Sequence, residues 1–200
     1  MIAKFRKKQF RRILDLILEA ALVTIDTEIE SQNMVDYLCS CGHKRVAFIT
    51  SGDEGLGRCH LNGYKRALEK NGLEYDEKLI VRLKPGNRIY TIENGYNSTC
   101  ELLESGVDFS CIYAISDTLA VGACKAIIDS GKRVPEDYCV AGADGQDIAE
   151  YYHPSITTLE YPRVETAQQS IRTLFDMIDR KKGGQTANAG RKAHRTGIYT

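Results

Sequence analysis

Short apolar runs recur in this chain at intervals of about 30 residues, each followed by a turn and a stretch of helical periodicity. The runs are Lys44–Thr50, Lys78–Leu83, Ser110–Ile115 and Tyr138–Gly142. A run of that length bounded by turn formers is a buried strand, and its alternation with helical segments gives right-handed βαβ units. The intervening helices are expected over 28–41, 58–71, 91–105 and 118–131, with Gly42 and Gly131 as stop signals. Ile29, Met34, Val35, Tyr37 and Leu38 form the buried side of the first. Leu22–Asp26 is a further strand candidate, and Ile156–Tyr161 is an extended piece. Pro162 opens a helix to about Lys182, with Ala167, Ile171, Leu174, Phe175 and Ile178 at core spacing. Residues 22–182 therefore read as α/β, a doubly wound, mostly parallel open sheet of four or five strands.

The two ends differ from this body. Residues 1–21 are a basic amphipathic helix with no assigned role, and 183–200 are a polar tail with a short extended piece at Gly197–Thr200. Residues 1–21 do not resemble a helix-turn-helix, because one helix is visible without a turn and a second recognition helix. The 27 basic and 27 acidic side chains cancel, so no global field recruits nucleic acid or membrane. No stretch reaches the roughly 18 apolar residues of a membrane span, and the basic start lacks a cleavage signal. The seven cysteines are scattered, without a disulfide framework or a second pair at metal-site spacing, so no metal or cofactor is expected and a reducing cytoplasm fits.

An open parallel sheet binds ligands beyond the carboxyl ends of its strands. Those ends and their loops (50–58, 84–90, 115–118 and 142–147) hold Arg58, His60 close by, Tyr90, Ser116, Asp117, Asp144 and Gln146. Asp144 lies in Gly142-Ala143-Asp144-Gly145, where glycines let backbone or ligand come close; a turn aspartate bonding its own backbone has the same sequence. The loop Ser51–Gly57 has neither phosphate-binding glycine pattern, and Asp53 and Glu54 would repel phosphate. The set lacks a nucleophile–base–orienter series. An acid, hydroxyls, amides, basic groups and a ring suit binding of a small polyhydroxylated or heterocyclic molecule without chemistry.

Six segments, in order, resemble the LacI/GalR family of bacterial transcription regulators. They are Gly42–Ile49, Asn62–Leu68, Ile115–Gly122, Val134–Asp137, Val140–Asp144 and His153–Leu159. The resemblance spans about 23–182 and implies a type I periplasmic-binding-protein-like effector domain, mainly its second subdomain over 22–161. Residues 162–182 would return toward an incomplete first subdomain. It further implies a homodimer that senses a sugar, nucleoside or purine-like effector and contacts DNA only through an N-terminal domain not in this sequence. Membrane association and enzymatic activity are not implied. A solute-binding protein of the same fold and a small α/β enzyme are the competing readings.

The resemblance places Asp144 at a ligand-binding aspartate and Ser116 before Asp117 in the helix-opening pair. It places Tyr90 at a stacking aromatic. Where the family has an effector-contacting arginine this chain has His60, with Arg58 two residues earlier as a possible substitute. Ala143 and Gly145 stand where an aromatic and a second acid are usual, which opens the expected pocket.

Overall fold

The computed structural model describes residues 26–84, 86, 89–182 and 197–199. The chain divides into two compact units, one of Asp26–Tyr161 with Arg195–Thr200, the other of Met1–Ile25 with Pro162–His194. In the first unit the order is α1 (Thr27–Ser40), β1 (Val46–Thr50), α2 (Gly55–Lys70), a 3-10 turn (Glu77–Leu79) and β2 (Ile80–Arg82). Then come α3 (Ile92–Glu104), β3 (Cys111–Ala114), α4 (Asp117–Asp129), β4 (Cys139–Ala141), α5 (Asp147–Tyr151) and β5 (Thr158–Glu160). The second unit contains α6 (Arg163–Lys182), and a last strand, β6 (Gly197–Tyr199), pairs antiparallel with β5.

The sheet is parallel, in the order β2-β1-β3-β4. Phe48 pairs with Ile80 on one side and Tyr113 on the other, and Ile112 pairs with Val140. The chain thus moves outward from β1 to β2, then crosses over β1 to lay down β3. Right-handed crossovers then put the packed pair α1–α2 on one face and α3–α4 on the other. β1 and β3 are buried along their whole length, so their apolar runs need no polar alternation. On the α1–α2 face, Phe48 lies 4.9 Å from the Tyr64 ring and 5.1 Å from Tyr113, and Tyr64 donates to the Val46 carbonyl at 2.7 Å.

Helix starts follow their capping residues. Asp26 accepts from the amides of Glu28 and Ile29, Thr91 from Asn94, and Ser116 from Leu119. The α3–α4 pair is interlocked through two glycines. A Cβ on Gly95 would sit 2.1 Å from the Leu119 carbonyl oxygen, and one on Gly122 2.0 Å from that of Ile92.

Several sequence expectations change. Helix α2 starts at Gly55, three residues early, because Gly57 fits closely under the Gly52 carbonyl. The five-residue α5 follows Gln146 with no side-chain cap to announce it. Ile29 is 47% exposed and does not belong to the buried side of α1. Ile171, Leu174 and Phe175 of α6 are each more than half exposed, so their core spacing describes an apolar face that the described residues leave uncovered. Periodicity yields the face of a helix but not its partner. Expected elements over 1–25 and 183–196 lie outside the described residues, apart from Asp26, which caps α1.

Replacing Gly122 by alanine is expected to cost about 1–3 kcal/mol, because the new methyl meets backbone on α3, which cannot rotate away. Gly86→Ala, which meets open space, is the control. Urea unfolding followed by circular dichroism measures both; equal midpoints would show that the two helices slide apart at no cost.

Candidate ligand site at the carboxyl ends of the strands

Four parallel strands bring their carboxyl ends to one edge, and the chain reverses its direction of growth between β1 and β3. Asp144, just past β4, has φ of 104°, a left-handed conformation that only a short polar side chain or glycine adopts readily. Gly145 follows at φ 57° and passes so close to Glu160 that a Cβ would lie 2.7 Å from its Cα. The Asp144 carboxylate accepts from the Gln146 side-chain amide at 3.1 Å.

The loop that carries Asp144 is fastened by Asp117. This carboxylate is fully buried and accepts from the Thr158 hydroxyl at 2.5 Å and the Gln146 amide at 2.7 Å, while its own amide donates to the Ala143 carbonyl at 2.8 Å. One residue therefore ties α4 to the β4–α5 loop and to β5. A Cβ on Gly142 would be 2.3 Å from the same carboxylate, so glycine is needed there. Ser116, 3% exposed, spends its hydroxyl on the cap of α4. The sequence placed Ser116 and Asp117 among ligand contacts; in the structure Ser116 caps α4 and Asp117 bonds Thr158 and Gln146.

His60 lies on the buried side of α2, and its Nδ1 is 2.8 Å from the Ser31 hydroxyl, which is 3.2 Å from the Tyr113 hydroxyl. Burial pulls the imidazole down to about 4, so the ring is neutral at pH 7. Ser31 is sealed from solvent, which removes it as a nucleophile despite its histidine neighbour. Arg58 is exposed, and two residues along a helix turn the side chain by roughly 200°, so it is not brought to the His60 side. Tyr90 is 46% exposed just before α3, with its ring available to solvent.

Glu30 was missed by the sequence reading. It sits half-buried in the first turn of α1, and its carboxyl is pushed up to about 7, chiefly by burial and then by the charges of Asp144 and Asp26. Glu30 and Asp144 are thus electrostatic neighbours although far apart in sequence. Ser31 left a signal: it falls three, four and seven residues before Met34, Val35 and Leu38, at a core position. Among the described residues, no group of three or more His, Cys, Asp or Glu side chains is placed to hold a metal ion.

Residues 35–194 match the periplasmic binding protein-like domain. The HTH-type transcriptional regulator AscG of Escherichia coli (strain K12) is 37% identical over 158 residues, 78% of this chain and 46% of that protein. A solved sugar-binding transcriptional regulator of the LacI family from Escherichia coli, complexed with phosphate, superimposes with a TM-score of 0.76 at 33% identity, covering 88% of this chain and 60% of that one. The complex of the transcriptional regulator CelR with cellobiose gives 0.79 at 30% identity, covering 91% and 53%. The chain spans about half the length of curated relatives such as AscG and CytR.

Glu30 and His60 pull stability in opposite directions with pH. The native state keeps a proton on Glu30 that the unfolded chain releases above 4.5, so the stability this group contributes is present at low pH and lost as pH rises to about 7. His60 sheds a proton that the unfolded chain holds below 6.5, so its contribution is present above that value and lost as pH falls to about 4. Glu30→Gln is expected to be more stable than the parent at pH 8, by on the order of 2 kcal/mol, and to converge with it near pH 4. Denaturant unfolding across pH measures the gap; a constant offset would mean that Glu30 titrates alike in the folded and the unfolded chain.

Proposed function

We propose that this chain, which belongs to the periplasmic binding protein-like domain family as that domain occurs in LacI-type regulators, is the effector-sensing portion of a transcriptional regulator. The supporting observation is the carboxyl edge of the sheet, where a single aspartate in a left-handed turn is held out by a fully buried carboxylate behind it. Such an edge suits the binding of a small molecule. Asp144 is the acceptor for ligand hydroxyls, Tyr90 the ring that stacks on it, and His60 a polar contact. Ser116 and Asp117 shape the site from beneath.

The relatives named above are regulators, and the solved complexes hold cellobiose or phosphate. Sugars and sugar phosphates are accordingly the first effector classes to try, with nucleosides and purines next. Effector closure on this edge would bias the spacing of paired DNA-binding heads, as a ligand stabilises one of two interdomain angles. DNA contact would run through a helix-turn-helix domain outside residues 1–200, in a cytoplasmic homodimer. No helix among the described residues is long and apolar enough to cross a membrane.

A thermal-shift panel of sugars, sugar phosphates, nucleosides and purines tests this reading. A ligand at a hundred times its dissociation constant adds about 2.7 kcal/mol of stability. Asp144→Ala is expected to weaken the hit by about 1–3 kcal/mol with little change in the unliganded melt. A hit whose affinity Asp144→Ala leaves unchanged would move the site off this edge, and a cooperative melt that no compound shifts would remove the sensing role from this chain.

A further inference from the structure

The amino end of the sheet gathers thiols. Cys111 and Cys139 open β3 and β4 and are direct partners in the register of those parallel strands. Paired positions on neighbouring strands present their side chains to the same face. Tyr113, two residues past Cys111, bonds Ser31 of α1, so Cys111 and Cys139 both face the α1–α2 layer. Cys39 and Cys41 lie at the carboxyl end of α1, near enough that their charges act on Cys111.

The four thiols are not equivalent. All are free, Cys111 is sealed from solvent, Cys139 is half-buried and Cys41 is exposed. The Cys41 thiol is engaged with the Tyr37 hydroxyl one turn back. Cys111 and Cys139 instead turn their S–H groups to the Ile112 and Pro135 carbonyls, weak contacts at 3.7 and 3.6 Å. Burial pushes both thiols up and neighbouring sulfurs add to it, so both stay protonated at neutral pH. Neighbouring strands lie about 4.8 Å apart, within the roughly 4.4–6.8 Å between Cα atoms that a disulfide spans. With one member reachable from solvent, the pair is placed to be oxidised, though slowly.

We propose that Cys111 and Cys139 form an oxidation site, converted by a low-molecular-weight disulfide of the glutathione class into a cross-strand bridge between β3 and β4. The Cys139 thiolate, its proton released to solvent, attacks one sulfur of the small disulfide and expels the other half as a thiolate. Cys111 then loses its proton and displaces the remaining half from the Cys139 sulfur. The protein pair gives up two electrons and two protons, and the small disulfide becomes two thiols. Turning both side chains about χ1 exchanges two weak S–H contacts for one covalent bond. In a reducing compartment that bond is transient. The site lies at the opposite end of the strands from Asp144 and does not depend on the sensing role.

The test incubates the folded protein with oxidised glutathione, quenches with acid, alkylates the remaining thiols and maps the bridges by tandem mass spectrometry. The expected product is a Cys111–Cys139 link with loss of two hydrogens, reversed by dithiothreitol. Cys139→Ser and Cys111→Ala should each lose it, and circular dichroism of the reduced variants checks that they fold. Cys139→Ser, at the half-buried position, carries the test if the buried Cys111→Ala does not fold. The double variant Cys39→Ser with Cys41→Ser should keep the link. The oxidant is raised until exposed Cys41 carries glutathione; absence of the Cys111–Cys139 link at that point overturns the proposal. A bridge from Cys139 to Cys39 or Cys41, or a Cys111–Cys139 link that forms only in urea, overturns it as well.

Discussion

The Asp117 carboxylate is the constraint from which the rest of the carboxyl edge of the sheet follows. A buried carboxylate is costly unless its oxygens are matched, and here one takes a hydroxyl from β5 and the other an amide from the β4–α5 loop. Because Asp117 also opens α4, the helix, the loop and the neighbouring strand share one anchor. That anchor lets Asp144 sit in an unfavourable backbone conformation without the loop relaxing. Removing the carboxylate would leave a buried amide and hydroxyl unmatched together, so the edge is held cooperatively.

Two helix pairs support this edge by different means. The α3–α4 pair closes through Gly95 and Gly122, with backbone against backbone. The α1–α2 pair closes through Gly63, where a Cβ would be 2.0 Å from the Glu28 carbonyl oxygen, and also through a polar contact, Ser31 with His60. The first pair is a rigid wall. The second carries two titratable groups, so its stability depends on pH through Glu30 and His60.

Much of this was legible in the sequence, for identifiable reasons. Strands β1 and β3 announce themselves as uninterrupted apolar runs, and Asp26, Thr91 and Ser116 mark helix starts by their capping chemistry. Asp144 stood out because glycines bracket it. What failed to show were relations between distant segments. Nothing local says that Glu30 will feel Asp144, or that Asp117 will meet Thr158. Arg58 and His60 looked interchangeable two residues apart, yet helical rotation separates them. The family resemblance pointed to this edge, and packing shows which of its residues bond to one another.

Strand β2 has a consequence for how the molecule behaves in company. It forms one margin of the sheet and is three residues long, with Arg82 ion-paired to Asp53 and Glu77 along its outer reach. The opposite margin, β4, is already accompanied by 157–160 through bridges at Ala141 and Asp144. A foreign strand seeking to extend the sheet finds a short, charged border on one side and an occupied one on the other. Among the described residues, neither border of the sheet offers a long, uncharged, unpaired ladder to a second molecule.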